Sequence, residues 1–248
     1  MEKLIHLTLR VWRQPGPDRP GRFHDYPSGP VATSLSLLEL LDLVNERLTL
    51  NGEEPIAFDH DCREGICGAC GAMVDGLAHG PKSETTLCQL HLRDLADGGL
   101  VVIEPFRALA FPLIKDLVVD RSALDRIMAA GGYVSVDTGG APEANVIPIP
   151  QSDADQALAA ASCIGCGACV ASCPHASAML FVGGKVSQLA CLPQGQPERA
   201  RRVLAMVSAA DREGFGACGN HRECEAACPK RLSLRHLARM NREYLSAR

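Results

Sequence analysis

At 248 residues the chain is long enough for two ordinary domains, and its 46% content of hydrophobic residues is normal for a protein that folds on its own core. A formal net charge of -4, a pI near 6.1 and 4% aromatic residues give no basic field for a polyanion, so nucleic-acid binding is set aside. The longest apolar run, Val101 to Ile114, is broken by Glu104, Arg107 and two prolines, far from the ~18 uninterrupted apolar residues a spanning helix needs, so membrane association is expected only through a partner.

The alternation of Ile5, Leu7, Leu9 and Val11 with polar neighbours has period two and predicts a strand ending at the turn-rich segment 14–21, with a hairpin return through Arg22 to Val31. Ser36-Leu37-Leu38-Glu39 is a capping box, and Leu37, Leu40, Leu41, Val44 and Leu48 follow at helical spacing. Strand, turn, strand, helix is how a β-grasp domain begins. Leu100 to Glu104 reads as a further short strand and Phe106 to Asp120 as a connector, with the domain boundary expected at residue 111. Beyond it the helical signals dominate: 153–161, then a helix starting at Pro197 with Val203, Met206, Val207 and Ala210 on one stripe. Gly131 to Pro150 reads as an ordered surface loop. Residues 229–248 carry a basic amphipathic helix with Leu234, Leu237, Ala238, Tyr244 and Leu245 as its apolar stripe. The expected fold class is α+β, with a β-grasp domain at 1–111 and a mostly helical, bacterial-ferredoxin-like domain at 112–248.

Met1-Glu2-Lys3-Leu4-Ile5-His6 lacks the features of a secretory signal, so a reducing cytoplasmic setting is expected. Twelve cysteines are then better read as ligands than as disulfides. The first group, Cys62, Cys67 and Cys70 with Cys88 following, has the C-x4-C-x2-C spacing of a plant-type [2Fe–2S] site, and Gly65, Gly68 and Gly71 let backbone amides approach the sulfurs. The second, Cys163-x2-Cys166-x2-Cys169-x3-Cys173-Pro174, is the bacterial ferredoxin run, in which the fourth cysteine serves a different cluster from the first three. Its complement is 218–229, the same pattern with His221 where the second cysteine would stand. Crossed ligation assigns Cys163, Cys166, Cys169 and Cys228 to a [4Fe–4S] cluster and leaves Cys173, Cys218 and Cys224, a set suited to [3Fe–4S]. His221 is open as an iron ligand or a neighbour of that cluster. The remaining Cys191 sits among apolar residues and reads as a core side chain.

A plant-type loop followed by the double bacterial motif resembles the iron–sulfur subunits of succinate dehydrogenases and fumarate reductases. The stretches 10–13, 58–68, 115–122 and 241–245 are similar to the single-anchor, menaquinone-linked branch. The resemblance implies an electron-transfer subunit of an oxidoreductase on the cytoplasmic face of the inner membrane. Electrons would pass from covalent FAD in a flavoprotein partner through [2Fe–2S], [4Fe–4S] and [3Fe–4S] to menaquinone in a membrane anchor, expected to be single and open to haem. No substrate-carbon catalytic site is expected in this chain. Pro174, His175 and His221 are candidate neighbours of the third cluster or of its quinone side. The aromatic residues that help form the ubiquinone pocket in mitochondrial-type members are replaced here by Ser177 and Ala178, and a histidine by Gly219. Two other readings are a stand-alone polyferredoxin and a zinc-stapled interaction module.

Overall fold

The computed structural model describes residues 3–135, 145–146 and 149–248. Most of the expected surface loop 131–150 therefore lies outside the described residues. The chain divides into two compact units, Met1–Asp120 and Arg121–Arg248.

In the first unit, β1 (Leu4–Arg13) pairs antiparallel with β2 (Arg22–Ala32), as the period-two pattern requires. After α1 (Leu37–Leu50) come a short hairpin of β3 (Met73–Val74) and β4 (Leu77–Ala78), then β5 (Leu100–Glu104). The sheet order is β2-β1-β5-β3-β4, with β1 parallel to β5 and the other pairs antiparallel. The inward residues of β1, Ile5, Leu7, Leu9 and Val11, are buried in one core with Leu37, Leu38, Leu40, Leu41, Val44 and Leu48 of α1. The helix begins where the sequence says: Ser36 Oγ accepts from the Glu39 amide at 3.2 Å, and the Ser36 amide donates to Glu39 Oε2 at 2.7 Å. This helix and the irregular stretch after it form the crossover from β1 to its parallel neighbour β5.

Residues 112–120, expected in the second domain, fold with the first unit. They form a hairpin of β6 (Leu113–Lys115) and β7 (Val118–Val119), whose turn residue Asp116 is 2% exposed. Asp116 accepts from the Gln14 amide at 2.7 Å and the Ala57 amide at 2.9 Å, and pairs with Arg13 Nε at 3.1 Å. Arg13 donates in turn to Tyr26 Oη and to the Glu54 and Pro55 carbonyls. No hydrophobic period announces this hub, because it is made of backbone groups satisfied by one carboxylate. Asp116→Ala is expected to cost the first unit about 3–5 kcal/mol, the penalty for stranding a buried charge, with Asp116→Asn costing less; denaturant melts of both variants check this.

The second unit contains α2 (Ser122–Gly131), α3 (Gln151–Ala161), α4 (Ala168–Ala171), α5 (Met179–Ala190), α6 (Arg199–Arg212), α7 (Glu223–Ala226) and α8 (Arg235–Ala247). At its centre α5 packs against α3, α6 and α8. It is buried on nearly every side, so its sequence carries no amphipathic stripe. Gly183 permits the crossing with α8: a Cβ there would stand 3.0 Å from the His236 carbonyl oxygen. On α6 Val203, Met206 and Ala210 of the expected stripe are buried, joined by Arg202, whereas Val207 is only half-buried. On α8 the expected stripe is wrong in register. The buried positions are His236, Met240 and Glu243, whereas Leu245 is 73% exposed. Glu243 is held inside by Arg199, and His236 Nδ1 lies 3.0 Å from Ser187 Oγ. Polar partners on α5 and α6 thus decide which face of α8 goes in.

Candidate metal centres

The first cysteine group lies on the irregular segment between α1 and β3. Arg63, Gly65 and Gly68 take left-handed backbone (φ 57, 70 and 74°) and coil the chain around Cys62. Three amides then point at one sulfur: those of Glu64, Ile66 and Cys67 donate to Cys62 Sγ at 3.3, 3.5 and 3.3 Å, while the Ala69 amide donates to Cys67 Sγ at 3.4 Å. Gly71 has a different use from the one expected, since a Cβ there would stand 2.5 Å from the Phe106 ring. The loop is clamped from outside. Arg63 pairs with Asp42 of α1, and Gln89 Nε2 donates to the Arg63 carbonyl at 2.8 Å. Thr86 Oγ1 lies 3.3 Å from Cys88 Sγ. The amides of Glu64 and Ile66 bring the Cys62 thiol down to about 7, whereas burial pushes Cys70 up to about 12.

The two later groups are a structural repeat at an offset of 55 residues. Gly165 and Gly167 are left-handed, and so are Asn220 and Arg222; one-turn helices follow, α4 carrying Cys169 and α7 carrying Cys224. Each run ends in Cys-Pro and a further left-handed residue, Ala176 in the first and Arg231 in the second, whose amide donates back to the cysteine carbonyl. In this repeat His221 stands where Cys166 stands.

The repeat brings the cysteines together in crossed sets. Cys163, Cys166, Cys169 and Cys228 line one cavity, walled by Leu180, Phe181 and Leu232. Cys173, Cys218 and Cys224, the third cysteine set, line another, termed the third cavity after that set, with His221, Ser177, Met179, Leu234 and Leu237. The Leu232 amide donates to Cys228 Sγ at 3.4 Å. Burial pushes Cys166 up to about 12 and Cys169 well above the ordinary thiol range; Cys163 and Cys224 are also raised by burial.

This donor set fits iron–sulfur clusters. Buried, mutually repelling sulfurs stay protonated unless the bound group brings positive charge of its own, which iron does. Among the described residues no three His, Cys, Asp or Glu side chains converge on a point suited to a single metal ion. The thiols gather in crossed sets of four and three with ferredoxin spacing instead, which suits a multi-atom inorganic core better than one zinc at ~2.3 Å from each sulfur. Cys191 lies at the end of α5, buried and lining neither cavity, with its thiol raised by burial.

Of the three flanking candidates, only His221 lines the third cavity. It is exposed, and its ring meets that of His175 edge-on with centroids 4.8 Å apart. His175 Nδ1 lies 3.1 Å from the Ala217 carbonyl. Pro174 is exposed and lines neither cavity. Ser177, 5% exposed, closes the third cavity from the inside, a role its residue type alone did not announce.

Two family models match, a 2Fe-2S iron-sulfur cluster binding domain over residues 8–126 and a 4Fe-4S dicluster domain over 157–229. The chain is 29% identical to a fumarate reductase (CoM/CoB) chain of Methanothermobacter marburgensis over 92% of its own length, and spans 42% of that protein. It is 27% identical to the succinate dehydrogenase iron–sulfur subunit of Bacillus subtilis, covering 86% of this chain and 83% of the relative. The fumarate reductase iron–sulfur subunit of Wolinella succinogenes is 27% identical, with 97% and 98% covered. A chain of the Mycobacterium smegmatis Sdh1 complex in its apo form has the same fold, with a TM-score of 0.67 at 19% identity over 98% of this chain and 97% of that one.

Proposed function

We propose that this chain, which belongs to the iron–sulfur subunits of the succinate dehydrogenase and fumarate reductase family, relays electrons between a flavoprotein partner and a membrane quinone. The observation that carries the reading is the crossed gathering of seven cysteines around two cavities, downstream of an amide-lined plant-type loop. Cys62, Cys67, Cys70 and Cys88 would hold [2Fe–2S], Cys163, Cys166, Cys169 and Cys228 [4Fe–4S], and Cys173, Cys218 and Cys224 [3Fe–4S]. When bound, these groups supply one-electron carriers that neither FAD nor quinone chemistry requires this chain to provide otherwise.

The protein's own contribution is placement and dielectric. The three amides at Cys62 stabilise negative charge on that sulfur without adding a formal cation. Leu180 lines both later cavities and shares the wall between them, keeping water from either set on that side. The apolar residues Leu234, at the N-cap of α8, and Leu237, in its first turn, cover the third cavity.

For the quinone side we favour menaquinone in a single anchor chain. Ser177 and Ala178 are small and buried and leave no aromatic wall at those positions, while His221 supplies a polar, exposed group at the rim of the third cavity, with the exposed His175 packed edge-on against it. No helix among the described residues is long and apolar enough to cross a membrane, so attachment would be peripheral, through the anchor at the cytoplasmic face. Arg235 and Arg242 on α8 are exposed. Reversing both to Glu is expected to release the complex from anionic membranes at lower salt than the unmodified protein needs. Equal retention at low and high salt would remove these arginines from the attachment surface.

The test of the main reading is purification of the native complex. A brown protein with iron and acid-labile sulfide, a FAD-bearing partner, succinate-driven reduction of the centres and one accompanying membrane chain is expected. Colourless protein with stoichiometric zinc, or clusters with no flavoprotein partner, would overturn it.

A further inference from the structure

Two cations face the second cysteine set. Arg121 Nη1 donates to the main-chain carbonyl of Cys166 at 2.9 Å. Lys185, half-buried on α5, lines with Cys163, Gly165 and Phe181 a side cavity of about 160 Å³. Its Nζ donates to Gln188 Oε1, a neutral amide, at 2.7 Å, and it makes no ion pair among the described residues. The carboxylate that also lines this cavity, Asp125, is solvent-exposed, where its charge is screened. Within the side cavity, the cation next to Cys163 is therefore opposed only weakly. The third cysteine set differs: its cavity is lined by Arg222 and Glu223 together, charges of opposite sign.

We propose that Lys185 sets the reduction potential of the second centre, holding it above the value its four thiolates and apolar walls would give alone. This rests on the assignment of Cys163, Cys166, Cys169 and Cys228 to that centre. One added electron, from the flavoprotein in turnover or from dithionite in a titration, adds one negative charge and transfers no atom. A half-buried ammonium stabilises that added charge more than a fully exposed one would, because the effective dielectric constant there is well below that of bulk solvent. The amide partner of Lys185, Gln188, fixes the side chain without neutralising it.

The experiment is a redox titration of the whole purified complex, each centre followed by electron paramagnetic resonance. In Lys185→Gln the reduced-to-oxidised ratio of the second centre at a fixed potential is expected to fall about tenfold, equivalent to about 59 mV for a one-electron couple. Lys185→Arg should restore it, and the other two centres should not move. Gln188→Glu keeps the ammonium but sets a carboxylate against it, and should move the second centre in the same direction; it decides the matter if Lys185→Gln fails to assemble. Unchanged second-centre potentials in variants with full iron would overturn the inference, as would an equal shift in all three centres. If the unmodified complex lacks a [4Fe–4S] signal, it is the ligand assignment that fails.

Discussion

Alanine at Cys228 is expected to remove the [4Fe–4S] centre and to abolish the cooperative unfolding of the second unit, while alanine at Cys173 removes the third centre and leaves the second in place. The two outcomes separate crossed ligation from the reading in which each run holds its own cluster, for then Cys173 would belong with Cys163, Cys166 and Cys169. The cavity geometry supports the crossed arrangement, since Cys228 lines the cavity of the first run and Cys173 that of the second. The stability effect follows from chain length. A single cross-link closing a loop of about 65 residues removes about 4 kcal/mol of unfolded-chain entropy, so a four-ligand staple over residues 163–228 should be worth at least that. Iron and sulfide analysis together with thermal melts make the measurement. Cys191→Ala is the control: it should keep all three centres and lose only the small packing contribution of a buried thiol. Iron lost from the Cys191 variant, or a [4Fe–4S] signal persisting in Cys228→Ala, would contradict the assignment.

What the sequence made legible depended on whether the information was local. The strand β1 was readable because one face is core and the other is not, and α1 because its capping box and stripe agree. The cysteine spacing carried the cavity sets, since a cluster fixes its ligands within a few residues of one another and crossed ligation adds only one distant partner to each set. The central helix α5 left no trace as a helix. A segment surrounded by α3, α6 and α8 has no polar face to generate a period, and its Gly183 and Gly184 read as helix breakers until α8 is seen crossing there. The face of α8 was misread for a related reason: Glu243 and His236 look like surface residues unless Arg199 and Ser187 are known to lie opposite. The hub at Asp116 was invisible because its partners, the amides of Gln14 and Ala57, belong to distant residues and say nothing through their side chains. The half-buried Lys185 beside Cys163 likewise arises from bringing α5 to the cluster loop, not from any spacing in the chain.

In air-oxidised protein the third centre is expected to give the paramagnetic signal of [3Fe–4S], and His221→Ala should keep it. The alternative is concrete, because the backbone repeat puts His221 at the position of Cys166, and histidine-ligated iron is known chemistry in Rieske centres. Side-chain length argues against it. A backbone that seats the short Cys166 side chain against a cluster carries the longer imidazole of His221 past the corresponding point, to the cavity rim, and His221 is indeed exposed and packed edge-on against His175. Gly219 gives that ring its space, since a Cβ there would stand 2.6 Å from His221 Nε2. At the rim a neutral imidazole can donate to a cluster sulfur or exchange a proton with a ligand on the quinone side without binding iron. A histidine-completed [4Fe–4S] centre in its 2+ state would be silent. Absence of the oxidised-state signal in protein of full iron content, together with its appearance in His221→Ala, would therefore make His221 the twelfth ligand.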